Sequence, residues 1–282
     1  KDVVKTLSAN AIKPDWIMTT SPPESVHFAG AKLSKSLGVP WLAELRDTWI
    51  KHPHRQILIR SALRRAFERR VAKSYLKHAS ALTSVSEAVM SEARDYALEN
   101  TPECIITHFS NPPGLPYEFE HSRFNLVHSG GFALSDHRRK LETLIDALAG
   151  SGRTDFTLHI AGRLTPEEIK IANVAPISIK QHGQVSLETS RAMQAGADAL
   201  ILHTPKGSHA LPGKYAEYAA TGKPIYYIGD GDWLGLVSVP SNLEPLSSGL
   251  SKLSHNNKTS ARPYFSHKDA AQKLMTFLES IR

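Results

Sequence analysis

The chain reads as an α/β protein of two domains, each built on a parallel sheet. Three observations predict this. Short apolar runs alternate with helical patterns over most of the sequence, a proline-rich break splits the alternation into two series, and 282 residues suffice for two domains of ordinary size. Apolar residues make up 41% of the chain, enough for packed cores.

The first series opens with a strand at Trp16-Ile-Met-Thr-Thr, followed by a helix from Pro23 to Leu37. Gly38 and Pro40 stop that helix, glycine because it accepts a left-handed cap and proline because it cannot continue a helix. Trp41-Leu-Ala-Glu-Leu is the next strand, and a long helix covers 55–77. Ser80-Ala-Leu-Thr-Ser-Val is a strand, Ser86 opens another helix, and Cys104-Ile-Ile-Thr is the last strand of this series. Strand and helix in strict alternation imply parallel strands with helices on both faces.

Asn111-Pro-Pro-Gly-Leu-Pro116 breaks the rhythm, since three prolines and a glycine can continue neither a strand nor a helix. We read 109–122 as the linker. The predicted divisions are a first domain at 1–115, a second at 116–266 and a terminal helix at 267–282. In the second series, strands are predicted at Phe124–His128, Phe156–Gly162, Pro176–Lys180, Asp198–His203 and Pro224–Gly229. Helices are predicted from Arg138 to Leu148, from Ser186 to Ala195 and from His267 to Ile281, and Ser247–Ser260 as a polar surface loop.

Composition narrows the function classes. No apolar run approaches the ~18 residues of a membrane span. The single cysteine, Cys104, excludes a disulfide within the chain, fits a reducing cytoplasm and reads as a buried structural thiol. Lys1-Asp-Val-Val-Lys has no apolar segment behind it that would mark a secretory signal. Net charge is +7, and residues 51–80 alone hold nine Lys or Arg against one acid, Glu68. The helix at 55–77 places Ile59, Leu63, Phe67 and Val71 on one side and arginines on the other. Its charged face either meets solvent alone or meets anionic lipid. No recognition motif or aromatic stacking platform accompanies the charge, which argues against nucleic acid. The fourteen histidines are scattered without a metal-ligand spacing, so no metal is expected.

The most informative stretch is Leu211-Pro-Gly-Lys-Tyr-Ala-Glu-Tyr-Ala-Ala-Thr-Gly-Lys-Pro-Ile225. It sets Gly213 and Lys214 at a helix entrance and Glu217 one turn on. A helix N-terminus offers unpaired N–H groups and partial positive charge, which suit a phosphate. Lys214 adds a full charge, and Glu217 can accept hydrogen bonds from sugar hydroxyls. The alternative is an ordinary surface helix carrying a Lys and a Glu three apart.

This stretch resembles the nucleotide-sugar site of retaining glycosyltransferases of the GT-B fold, family 4. Pro14-Asp-Trp-Ile-Met-Thr-Thr-Ser-Pro-Pro, Val39-Pro-Trp-Leu-Ala-Glu-Leu-Arg-Asp-Thr-Trp49 and Ala81-Leu-Thr-Ser-Val-Ser-Glu resemble further segments of that family, in the same order. The resemblance implies two Rossmann-like domains and a metal-independent enzyme without a cofactor. Its donor would be a nucleotide-diphosphate sugar, and its acceptor a glycan or lipid-linked hydroxyl in bacterial surface-polysaccharide or glycolipid synthesis. Peripheral membrane contact would run through 55–77. The family's first domain begins with a strand and a Gly-rich loop, whereas this chain starts near the middle of that domain, so the first strands are expected to be absent.

Carried onto this sequence, the resemblance gives donor contacts to Lys214 and Glu217. It gives Gly130 and Gly131 a turn facing the diphosphate, with Arg138 or Arg139 in support; a plain turn is the alternative. Phe132 replaces the family's arginine after the glycine, and His209 stands where a second glutamate is common. Arg46 and Asp47 end a strand, where α/β folds place ligand-binding residues. They either meet the acceptor and reacting sugar or form a local salt bridge. Arg163 and His203 also lie at strand ends. A GT-B-type nucleotide-sugar epimerase and a binding module without turnover remain as alternatives.

Overall fold

The computed structural model describes residues 6, 13–51, 61–207, 211–231, 233–236, 243–254 and 265–281. The chain divides into two compact units, Lys1–Thr107 with Ala270–Arg282, and His108–Asp269.

The first unit runs β1 (Ile17–Ser21), α1 (Ser25–Leu37), β2 (Trp41–Leu45), α2 (Ala62–Leu76), β3 (Ala81–Ser84), α3 (Glu87–Arg94) and β4 (Glu103–Ile105). The strands pair in parallel, in the sequential order β1-β2-β3-β4. Local chemistry sets the boundaries. Gly38 closes α1 at φ 66°, a left-handed position that suits glycine. The hydroxyls of Ser61 and Ser86 accept from Arg64 N and Val89 N, capping the starts of α2 and α3. Trp41, Leu45, Trp49, Leu76, Leu82 and Met90 form the core. Trp41 Nε1 donates to Thr19 Oγ1 at 2.7 Å, fixing the indole between β1 and β2. The buried Glu92 carboxylate accepts from Ile50 N at 2.9 Å and Tyr96 OH at 3.0 Å, which ties the loop after β2 to α3. Cys104 is half-buried and unbridged, more open than a core thiol.

Helix α2 differs from expectation. Its packed side carries Ala72 and Leu76 with Val71 and Tyr75, whereas Leu63 and Phe67 face outward, 86% and 56% exposed. At 3.6 residues per turn Leu63 stands half a turn round the helix from Ala72. The apolar stripe of the first two turns therefore points away from the core. Ile59 lies outside the described residues.

The second unit runs β5 (Phe124–Ser129), α4 (Leu141–Ala149), β6 (Phe156–Ala161), α5 (Pro166–Asn173), β7 (Ile179–Gly183), α6 (Leu187–Gly196), β8 (Ala199–His203), α7 (Gly213–Thr221), β9 (Ile225–Ile228) and β10 (Leu243–Pro245). All pairings are parallel, in the order β10-β9-β8-β5-β6-β7. Each face of the sheet has its own core. One holds Leu126, Leu144, Phe156 and Ile201, and the other Val127, Met193, Leu200, Tyr218 and Trp233. The terminal helix α8 (His267–Ser280) begins at the end of this unit, and from Ala270 it groups with the first.

The proline-rich stretch falls inside the second unit. Tyr117 N donates to Ala192 O at 2.8 Å, so this segment docks on α6. A Cβ at Gly196 would stand 2.2 Å from Tyr117 O, so only glycine admits that approach. Helix α5 was not anticipated, yet its signal is present. Pro166 is its first residue, and Thr165 and Glu168 form a reciprocal capping box. Nor is 247–260 wholly a polar loop. Leu246, Leu250 and Leu253, spaced at helical intervals through two short turns, are buried in the core.

Candidate functional site

Strand order locates the site. In the second sheet the chain moves outward from β5 through β6 to β7, then returns to the other side of β5 as β8. Such a reversal leaves a crevice beyond the carboxyl ends of the two diverging strands, where open α/β sheets bind ligands. The residues at that point are His128 and Ser129, which end β5, Gly130 and Gly131 after it, His203, which ends β8, and Thr204 after it.

The backbone there is tightly fitted. Gly130 has φ +132°, and a Cβ at Gly162 would fall 2.0 Å from Gly130 O, so the turns after β5 and β6 touch main chain to main chain. A Cβ at Gly131 would meet Arg163 O at 3.3 Å. The loop that follows is anchored by Glu168 Oε1, which accepts from Ala133 N at 3.0 Å.

Lys214 and Glu217 lie in the first two turns of α7, whose entrance receives no side-chain cap. Lys214 Nζ is 2.8 Å from Glu217 Oε2. Gln194 Nε2, from α6, donates to the same oxygen at 3.1 Å and lies 2.9 Å from Ser129 Oγ and 3.2 Å from Ser190 Oγ. Ser129 N donates to Tyr218 OH at 2.9 Å. A continuous polar chain thus joins the end of β5, the middle of α6 and the start of α7.

The two candidate arginines differ. Arg138 is held by Asp136 at 2.8 Å. Burial of Asp136 opposes its ionisation, but hydrogen bonds from the Arg138 side chain and backbone, with the charges of Arg138 and Arg139, outweigh this and hold the carboxyl at about 2. Arg139 is half-buried, and its Nε has no hydrogen-bond partner among the described residues. Burial lowers its pKa, opposed by Asp136 and Tyr218.

Two neutral histidines complete the cluster. His128 Nδ1 lies 3.0 Å from Ile201 O, which requires that nitrogen to carry the proton and leaves Nε2 as an acceptor. Burial pushes its pKa down to about 3, and the charges of Arg139 and Lys214 add to this. His203 is held at about 4 by burial and by Arg139. Phe132 packs against both rings, at 4.4 Å from His128 and 5.7 Å from His203 between centroids. His128 Nε2 and His203 Nδ1 are buried without partners among the described residues.

The other expected residues stand as follows. Arg163 is exposed after β6, and Gly213 is the first residue of α7. Arg46 and Asp47 follow β2 in the first unit, Arg46 exposed with its N donating to Ser21 O at 3.3 Å, and Asp47 half-buried. His209 lies outside the described residues. Sequence reasoning missed His128, Ser129, Gln194 and Tyr218. The polar pair His128-Ser129 at the end of an apolar strand was the signal for the first two. Gln194 sits in an ordinary helix and gave none. Among the described residues no group of three or more His, Cys, Asp or Glu is placed to hold a metal ion.

The solved structures agree with this architecture. The Anabaena protein HepE, in complex with UDP and glucose, superposes with a TM-score of 0.68 at 16% identity, covering 99% of this chain and 81% of that one. Sucrose-phosphate synthase from Thermosynechococcus elongatus gives 0.62 at 17% identity, covering 99% and 74%. A putative UDP-N-acetylglucosamine 2-epimerase from Listeria monocytogenes gives 0.59 at 11% identity, covering 99% and 77%. No curated protein sequence matches the chain. The fold is α/β with two parallel sheets, of the GT-B type, and residues 2–107 match the family model of the glycosyl transferase 4-like domain.

Proposed function

We propose that the protein is a glycosyltransferase that moves a sugar from a nucleotide-diphosphate sugar to an acceptor hydroxyl, with retention at the anomeric carbon. The observation that carries this reading is the gathering of Lys214, Glu217 and Arg139 around the reversal between β5 and β8. Two cations and an uncapped helix entrance suit a diphosphate, and a carboxylate beside them suits ribose or sugar hydroxyls. The match of residues 2–107 to a glycosyltransferase family model supports the same class.

In this reading the bond between the anomeric carbon and the diphosphate oxygen breaks. A bond to the acceptor oxygen forms on the same face, and the acceptor proton leaves with the departing diphosphate. Lys214 and Arg139 stabilise the charge that grows on the leaving group, which is electrostatic catalysis without a divalent ion. Gly130 and Gly131 admit the phosphates to the main chain, and Arg163, exposed after β6, stands at the rim of the donor site. Arg46 and Asp47 of the first unit contact the acceptor or the reacting sugar. The acceptor is a glycan or a lipid-linked glycan of a bacterial surface polymer, and the enzyme works in the cytoplasm at the inner membrane face. No helix among the described residues is long and apolar enough to cross a membrane. Peripheral contact runs through the outward side of α2, where Leu63 and Phe67 are exposed and Arg64 lies over the Phe67 ring.

The test is calorimetry with a panel of UDP-, GDP-, ADP- and dTDP-sugars, followed by product analysis with and without an acceptor. Binding of one donor and acceptor-dependent release of its nucleoside diphosphate are expected. Acceptor-independent conversion of the sugar would instead establish an epimerase, and binding without turnover a binding module.

A further inference from the structure

Gln194 is buried, 1% exposed, in the interior of α6, and the proposed reaction gives it no role. Its amide nitrogen nevertheless sits among three oxygens, Ser129 Oγ at 2.9 Å, Glu217 Oε2 at 3.1 Å and Ser190 Oγ at 3.2 Å. The carboxylate fixes which end of the amide faces it, because an ionised carboxylate accepts and cannot donate. Glu217 Oε2 is then engaged twice, by Gln194 and by Lys214 at 2.8 Å. Oε1 makes no hydrogen bond with the described residues.

We infer that Gln194 is a positioning residue that locks the rotamer of Glu217, so that Oε1 is the oxygen presented to the ligand's hydroxyls. This rests on the donor reading given above. The same amide touches Ser129, the residue before the Gly130-Gly131 turn. One side chain therefore sets the hydroxyl-binding carboxylate and the main-chain turn in a common register. Lys214 alone cannot do this. Its flexible stem allows the pair with Glu217 to swing as a unit, whereas an amide buried in a packed helix has one position.

The test compares wild type, Gln194→Met, Glu217→Gln and the double variant. The probe is whichever of UDP, GDP, ADP and dTDP the wild-type chain binds best, read by calorimetry. Gln194→Met is expected to weaken affinity about tenfold, Glu217→Gln by a similar factor, and the double variant no further than Glu217→Gln alone. Factors that multiply would show that Gln194 does not act through Glu217 and would overturn the inference. So would an unchanged affinity in Gln194→Met while Glu217→Gln loses it. If the wild-type chain binds none of the four, the donor reading itself fails, and this inference with it. Gln194→Glu preserves the shape should the methionine variant not fold. It sets a second carboxylate against Glu217, so affinity is expected to fall at neutral pH and recover as pH drops toward the carboxylate range. A flat profile would sink the inference.

Discussion

The two units are built from the same strand–helix repeat but differ in how the chain lays out its strands. In the first unit the described strands follow one another across the sheet in order, β1 to β4. In the second, the chain reverses at β5, and polar residues collect at the reversal. His128, Ser129, Gln194, His203 and Thr204 are all buried there. Buried polar groups are costly unless paired, and two of these histidine nitrogens have no partner among the described residues. The first unit's buried Glu92 holds a loop to a helix through Oε1, while its Oε2, His27 Nε2 and Thr83 Oγ1 have no partner among the described residues. The difference teaches that strand order, more than strand content, decides where a parallel sheet can hold a ligand.

The largest expected effect tests whether the units are energetically separate. Trp41 is fully buried at the centre of the first core, and Trp41→Ala is expected to cost about 3–5 kcal/mol there. Scanning calorimetry of the variant should show an early transition for the first unit. A nucleotide affinity within about twofold of wild type, measured below that transition, would place binding in the second unit. Loss of binding in step with the first transition would break the comparison.

Next come the cations. A hydrogen bond to a charged group contributes about 1.5–3 kcal/mol, so Arg139→Ala and Lys214→Ala should each weaken nucleoside diphosphate binding by roughly 10- to 100-fold. Arg138→Ala should change it little, because Arg138 is committed to Asp136. Arg46→Ala, in the first unit, should leave donor affinity intact and lower turnover. Titration calorimetry beside initial rates separates these outcomes, and equal loss of affinity at Arg46 and Arg139 would contradict the division of labour.

Much of this was legible in the sequence where the cause is local. Gly38 ends a helix through its own φ, and Ser86 and Ser186 cap helices through their own hydroxyls, so those boundaries could be read directly. Lys214 and Glu217 were legible because both lie on one short helix. The reversal at β5 was not, since strand order depends on pairings such as Leu126 with Ala199 that no local pattern encodes. Gln194 was invisible for the same reason, because its partners come from β5 and α7. Which way the stripe of α2 points was not legible either, because periodicity gives a stripe but not its direction. The choice between Arg138 and Arg139 needed the position of Asp136, two residues away but fixed by the loop's fold.

Acid sharpens the contrast further. Burial lowers the pKa of His128 to about 3 and of His159 and His203 to about 4 in the second unit, against His27 at about 4 in the first. An unfolded histidine titrates near 6.5, so between about 6.5 and 4 the unfolded chain binds more protons than the folded one. Stability is therefore full above about pH 6.5 and falls as pH drops. The slope approaches about 1.4 kcal/mol per pH unit for each such histidine. Burial also lowers His182 in the second unit, so with four such histidines against one the second unit should lose stability faster on acidification. Melting curves at pH 7, 6 and 5 check this, and parallel shifts of both transitions would refute it.

The smallest expected effect on stability is at α2. Leu63 and Phe67 bury little, so Leu63→Ser and Phe67→Ser should each change folding stability by no more than about 0.5 kcal/mol. The same residues in a packed helix face would cost several times more. A small stability change alone establishes only exposure, so the informative measurement is vesicle association. Apolar side chains on a helix that also carries Arg64, set over the Phe67 ring, and Arg70 should partition into an anionic bilayer through burial and charge together. Phe67→Ser should then weaken sedimentation with phosphatidylglycerol vesicles even in low salt, whereas Arg70→Glu should weaken it most at low salt and least at high salt. If charge reversal abolishes association while Phe67→Ser leaves it intact, the contact is electrostatic only and the outward apolar stripe has some other purpose. If neither variant matters, α2 is a solvated helix and its outward stripe makes no membrane contact.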